Sequence, residues 1–310
     1  LLVEQNHEIL RQKGEIEDQK QEIEAQRDLA ERQRDQIADQ QKQITDSIRY
    51  ASRIQAAVLP RTNNLNSYLT EHFVYYQPKN IVSGDFFWTT QLADGRIAVA
   101  VADCTGHGVP GAFMSMLGIT LIKELTATHC AESAGELLFK LRQLVIASLN
   151  QTGVEGESHD GMDMSLVLID KEKQELEYAG AYLPLLIVRK TELGGFGLEQ
   201  PVETHNGFSV YEFKGNKMPI GYHVIGEKPF TNQKISYKNG DIFYMFSDGY
   251  TDQFGGPSNL KYMLVNFKRL LLDIQTLSLK EQLNVIEQNF EDFKGNQKQV
   301  DDILVMGFKV

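Results

Sequence analysis

Four stretches of this chain set an aspartate at or beside an apolar run, usually with a glycine next to it. They are Ser83-Gly84-Asp85, Ala102-Asp103-Cys104-Thr105-Gly106-His107-Gly108, Ser247-Asp248-Gly249 and Val300-Asp301-Asp302. A single Asp-Gly pair is ordinary turn vocabulary. Repeated four times with the same neighbours, it predicts carboxylates delivered to sheet ends, with glycines that let backbone or ligand come close. Carboxylates gathered without basic partners repel one another strongly in a low-dielectric site. Divalent cations resolve that conflict, and all-oxygen donors suit Mg²⁺ or Mn²⁺ rather than zinc.

Other residues near these stretches have two readings each. His107, in the glycine-rich turn after Asp103, either protonates a leaving oxygen or pins the turn by hydrogen bonding. Lys79 either meets a phosphate or stands as a solvated surface lysine, the plainer expectation. Cys104 follows a carboxylate, which raises rather than lowers a thiol pKa, and no Cys sits in a phosphate-cradling loop, so a thiolate nucleophile is not expected. Phe113, Met114, Met116, Leu117 and Leu121 read as one apolar helix face belonging to the core. Gly111-Ala112 would let that helix pack closely.

The elements that must position these residues read mainly as strands with helices between. Runs rich in β-branched and aromatic residues predict strands at 73–77, 97–102, 165–169, 185–188, 241–246 and 303–310. Helical patterns cover about 111–128, 134–149, 259–271 and 279–293. Asp94-Gly95 and Asn239-Gly240 read as hairpin turns. The mix implies an α+β domain with largely antiparallel sheet.

The first sixty or so residues differ in kind, with one glycine and no aromatic before Tyr50. Every seventh residue from Leu2 is apolar: Leu2, Ile9, Ile16, Ile23, Ala30, Ile37, Ile44, Ala51 and Val58. That is the a column of a heptad. The d column is polar (Gln5, Gln12, Gln19, Gln26, Gln33, Gln40 and Ser47) until Ile54. Glu8, Glu15 and Glu22 at g would face Lys13, Lys20 and Arg27 at e of a second chain, which favours a parallel homodimer. A seam half lined by glutamine is marginal, and suits a linker that a preceding domain tightens or loosens. The expected division is a coiled-coil helix over 1–59 and a second domain over 60–310, opened by Pro60 and the polar run to Ser67.

Composition narrows the function. The 310 residues carry a net charge of −11 with no basic cluster, which argues against nucleic acid or anionic membrane as partner. Only Cys104 and Cys130 are present, without metal-ligand spacing, so a cytoplasmic protein with reduced thiols is expected. No apolar run reaches membrane-spanning length. The chain begins Leu1-Leu2-Val3, which suggests a piece of a longer protein whose missing N-terminal region holds a sensor and could tether it to a membrane. No P-loop or glycine-rich kinase lid appears, against a nucleotide-binding module.

The four aspartate stretches resemble the protein phosphatase 2C (PPM) superfamily, in its bacterial SpoIIE/RsbU branch. Val82-Ser83-Gly84-Asp85-Phe86-Phe87 is similar to the branch's V-G-G-D-F-Y, and Asp103 through Pro110 to D-x-S-G-H-G-x-P, with Ser83 and Thr105 as departures. Phe246-Ser247-Asp248-Gly249 is similar to Y-T-D-G, and Asp301-Asp302-Ile303 to D-D-I-T. The resemblance covers roughly Phe73 to Val310. It implies two antiparallel β-sheets in a sandwich flanked by helices, with a two-metal centre at one edge. It further implies that Asp103 bridges the ions, that Asp248 and Asp301 complete one shell, with Asp301 favoured over Asp302, and that the Cys104 carbonyl serves the other. Asp85 would sit nearby, directly or through water. Asp160 would hold a third ion, or else belongs to a plain loop; Asp163 is the weaker substitute. The implied activity is hydrolysis of phosphoserine or phosphothreonine by a metal-activated water, on a protein such as a STAS-domain regulator. A catalytically silent scaffold is the alternative, marked by loss of a metal aspartate.

Overall fold

The computed structural model describes residues 2–59, 65–69, 71–128, 133–154, 159–197, 199–224, 226 and 228–310. Cys130 and the run Pro60–Asn64 lie outside them. Two compact units divide the chain, Leu1–Ala51 and Ser52–Val310.

In the first unit, α1 (Leu2–Val58, whose last residues from Ser52 belong to the second unit) is a helix without interruption. Its apolar a-column side chains have no cover from this chain: Leu2, Ile9, Ile16, Ile23, Ile37 and Ile44 are 53–80% exposed. Arg11 ties Glu8 and Glu15 along the surface, at 2.7 and 2.8 Å. Such exposed pairs add little to stability.

The second unit is an α/β/β/α stack. β1 (Glu71–Gln77), β6 (Leu185–Lys190), β7 (Glu203–His205), β8 (Phe208–Phe213), β10 (Ile242–Phe246) and β13 (Ile303–Lys309) make a six-stranded sheet ordered β1-β13-β10-β6-β8-β7. The facing sheet, ordered β2-β3-β4-β5-β9, joins β2 (Phe86–Gln91), β3 (Ile97–Cys104), β4 (Met162–Asp170), β5 (Glu175–Ala181) and β9 (Gln233–Ser236). Every ladder between these strands is antiparallel.

Period-two alternation assigns each strand's two faces. In β3, Val99 and Val101 enter the layer between the sheets with Ile187, Phe243, Met245 and Met306. Ala98, Ala100 and Ala102 face outward, where small side chains admit α2 (Val109–Thr128) and α3 (Ala134–Ser148) through Ile122, Leu125, Leu138 and Leu141. The outer face of the other sheet packs α5 (Leu264–Asp273) and α6 (Leu279–Lys294) on Tyr244 and Val305 through Phe267, Leu271, Ile286 and Phe290. Both sheets are thus covered on both faces, which is why β3, β6 and β13 read as unbroken apolar runs.

The structure departs from expectation in three places. Asn239-Gly240 is no hairpin: the amide of Asp241 donates to the Lys238 carbonyl in a turn that carries the chain from β9 in one sheet to β10 in the other. The helix expected from Asn259 begins at Leu264, because Leu260–Lys261 (β12) pairs with Phe254–Gly255 (β11) and Met263 takes a φ of 70°. Phe113 is 71% exposed while Met114, Leu121 and Leu125 are buried. At about 100° per residue the two sets fall on different sides of α2.

Candidate functional site

Each aspartate stretch lies at a strand terminus on one rim of the sandwich. Asp103 is the penultimate residue of β3, across the ladder from Asp163 of β4. Asp85 precedes β2, and Asp301 stands two residues before β13. Asp248 follows β10 at the N-terminus of α4 (Gly249–Asp252), and its side chain makes no capping bond.

The loops bearing these residues interlock backbone to backbone, which is what their glycines are for. A Cβ on Gly84 would lie 2.7 Å from the Gly106 carbonyl oxygen and 3.3 Å from that of Cys104. One on Gly249 would collide with the Asp302 carbonyl. Gly111, at the start of α2, likewise has no room for a side chain against Gly106 and Gly84.

Asp302 and Asp301 divide their tasks. The Asp302 carboxylate is buried and accepts from the backbone amides of Lys79 and Gly84, each at 2.7 Å. It fastens the loop before Asp85 to the start of β13, and its oxygens are occupied. The Asp301 carboxylate accepts the neighbouring Asp302 amide, at 2.9 Å, while its carbonyl accepts from Gln299 at 2.8 Å. Lys79 enters this arrangement through its amide.

Electrostatics single out the remaining carboxylates. Burial first, then the charges of Asp85, Asp248 and Asp301, push the Asp103 carboxyl well above its ordinary range. Asp85 is raised by burial and by Asp302, against a hydrogen bond to Ser247 that favours its charged form. Asp248 is raised by loss of solvent first, then by the charges of Asp252 and Asp301. Asp163 is pushed up to about 7 by burial and Asp248. Burial, then Asp103, raises the Cys104 thiol, so that side chain is no nucleophile.

Asp160 lies two residues before β4. Its carbonyl accepts from Gln151, and the next residue, Gly161, exchanges bonds with Thr105 at 3.0 and 3.1 Å. These bonds of Gly161 hold the loop after Asp103 in place, and the charge of Asp163 reaches Asp103.

Two observations test whether divalent ions fit here. The Asp85 Oδ2 atom is buried with no hydrogen-bond partner. Asp85, Asp103, Asp163 and Asp301 take part in no ion pair with Lys or Arg among the described residues, and Lys261, which eases Asp248, is committed to Asp252 at 2.6 Å. The donor set therefore suits hard cations. It is not a finished cage, for no three His, Cys, Asp or Glu among the described residues stand together as ready ligands.

Sequence reasoning missed the residues that brace the site. Gln55, buried in the last turn of α1 and within the second unit, donates to the Ser83 carbonyl at 2.6 Å and to Ser115 Oγ at 2.8 Å, and accepts from the Ser83 amide at 3.2 Å. Tyr76 donates to the Asp85 carbonyl at 3.2 Å. Asn80 Oδ1 lies 2.8 Å from His107 Nδ1. A polar Gln in an otherwise apolar helix end was the one available signal for Gln55.

This stack of two antiparallel sheets between helices, with carboxylates at one rim, is the PP2C-type phosphatase fold. A family model for stage II sporulation protein E (SpoIIE) matches residues 93–310, and the chain belongs to that family. Among solved structures it is similar to the SiaA-PP2C domain of Pseudomonas aeruginosa, with 30% identity and a TM-score of 0.72 over 87% of this chain and 98% of that one. It also resembles the phosphatase domain and regulatory-domain fragment of SpoIIE from Bacillus subtilis, with 18% identity and a TM-score of 0.58 over 77% of this chain and 63% of that one. The catalytic domain of the serine/threonine phosphatase PstP, in complex with two manganese ions, shares the fold at 14% identity and a TM-score of 0.51, over 76% of this chain and 96% of that one. No curated protein sequence matches the chain.

Proposed function

We propose that this chain is a Mn²⁺- or Mg²⁺-dependent phosphatase acting on phosphoserine or phosphothreonine in another protein. The observation that carries the reading is the crowd of carboxylates around Asp103: Asp85 is buried, and Asp85 and Asp103 are both raised in pKa by burial and by neighbouring carboxylates, with no Lys or Arg ion pair to either among the described residues. Asp85, Asp103, Asp248 and Asp301, with the Cys104 carbonyl, would hold two ions, and Asp163 or Asp160 a third.

Bound there, the ions would lower the pKa of water to supply a nucleophile near neutral pH, and would draw charge from the phosphoryl oxygens. The water oxygen bonds to phosphorus as the bond from phosphorus to the Ser or Thr oxygen breaks in line, and the electron pair departs with that oxygen. His107 would give it a proton and recover one from solvent. Inorganic phosphate and a free hydroxyl are the products. Resemblance to the SpoIIE/RsbU branch supports a STAS-domain regulator as substrate, in the cytoplasm.

Residues 1–59 would form a parallel homodimer that sets the activity, under an upstream sensor beyond this chain. The uncovered Ile column supports this.

The scaffold reading draws on the absence of a ready cage among the described residues. Hydrolysis of p-nitrophenyl phosphate with Mn²⁺ or Mg²⁺ separates the two. Wild type turns over in proportion to added metal, and Asp103→Ala and Asp248→Asn each lose at least about a hundredfold, as large as outer-shell losses in metalloenzymes. Metal-independent rates, or variants that match wild type, would leave the scaffold.

A further inference from the structure

Resting on the phosphatase reading, we propose that Asn80 is a positioning residue for His107, fixing which ring nitrogen delivers the proton to the leaving oxygen. The Asn80 side-chain oxygen lies 2.8 Å from His107 Nδ1. An acceptor at that distance commits the Nδ1 proton to a standing hydrogen bond. The proton free to depart is then the one on Nε2, and the neutral imidazole left behind is the Nδ1–H tautomer that Asn80 stabilises. The ring thus gives up its proton without having to rearrange.

Asn80 is well placed to impose this. Its loop is clamped on both sides by one buried carboxylate, since Asp302 takes the amides of Lys79 and Gly84, at 2.7 Å each. The opposing turn is shaped around it: Gly108 adopts a φ of 68°, and a Cβ there would meet Asn80 Oδ1 at 3.4 Å. Asn80 and His107 are both exposed, and a hydrogen bond between exposed groups adds little to folding because water replaces it readily. Its consequence lies in orientation, across the gap between the Asp85 loop and the Asp103 loop.

Leaving groups of different basicity provide the test. p-Nitrophenolate departs as a stabilised anion, whereas the phenolate of phenyl phosphate gains from a proton in the transition state. With Mn²⁺, the ratio of kcat on p-nitrophenyl phosphate to kcat on phenyl phosphate rises on the order of tenfold in Asn80→Ala, short of the roughly 10²–10⁴-fold that a general acid supplies because His107 itself remains. The ratio rises at least as far in His107→Ala, and the double variant goes no further than His107→Ala, because the two act through one group. Asn80→Asp, which keeps the acceptor, restores the ratio to within about threefold of wild type.

Losses of equal size on both substrates in Asn80→Ala would make the contact merely structural and overturn the inference, as would losses that add to those of His107→Ala. In either case wild-type turnover would leave the phosphatase reading standing. A wild type inert on both substrates at every metal concentration would sink both.

Discussion

Asp163 faces Asp103 across the β3–β4 ladder, and its charge state links the site to folding. Its pKa rises from 3.8 to about 7 because burial and Asp248 disfavour the anion. Between those values the metal-free native state holds a proton that the unfolded chain has lost, so stability falls as pH rises through the window and levels off above it. Asp163→Asn removes this term. Without metal, the variant's advantage over wild type should grow from near pH 4 to about pH 7 and hold steady at pH 8, where it melts several degrees higher, on the order of 1–3 kcal/mol after solvent screening. Calorimetry in EDTA across that range checks it; a gap independent of pH would refute the assignment. The aspartates themselves were legible because each lies in a short contiguous motif. The division of labour between Asp301 and Asp302 was not, since it depends on amides 218 and 223 residues away in sequence.

The elements show the same boundary between what is local and what is not. β3, β6 and β13 announce themselves by apolar runs that both faces bury, whereas β9 (Gln-Lys-Ile-Ser) at a sheet edge offers too few apolar positions to be read. β5 and β8 carry side chains that pattern alone leaves ambiguous. The end of α1 is the sharpest case. Gln55 stands alone as a polar residue in an apolar helix end, which hints at a buried partner without naming it: the residue is buried and satisfies both the amide and the carbonyl of Ser83, two residues before Asp85. Gln55→Ala would strand the buried Ser83 amide and weaken the support of Ser115, at a cost of about 1–3 kcal/mol. Activity on p-nitrophenyl phosphate should fall with it, since the Asp85 loop loses a brace. Gln21→Ala, at an exposed position of the same helix away from the a and d columns, should alter neither by more than about 0.5 kcal/mol in stability or twofold in rate. Chemical denaturation and rate assays on both variants decide the matter, and indistinguishable behaviour of the two would contradict the bracing role.

Taken as a whole molecule, the chain carries a 57-residue helix whose apolar column meets nothing of its own. A solitary helix could survive on ion pairs such as Arg11 with Glu8 and Glu15, but would leave six large aliphatic side chains in water without cause. A second copy is the simplest cover, and charge at g and e dictates its direction. Reversing Lys13, Lys20 and Arg27 to Glu sets glutamate against glutamate at every expected crossing of a parallel pair. Reversing Glu8, Glu15 and Glu22 to Lys sets cation against cation. Each such pair contributes about 0.2–1 kcal/mol, so six crossings shift association by roughly one to several kcal/mol. Neither triple variant should self-associate as wild type does at low salt, while an equimolar mixture should recover the wild-type mass in sedimentation equilibrium. An antiparallel pair brings g opposite g and e opposite e, where wild type already sets like charges together, so each triple variant alone would then self-associate as wild type does. Deleting residues 1–45 should give a monomer with altered activity. A truncated protein unchanged in both mass and rate would mean that the Ile column serves some other partner.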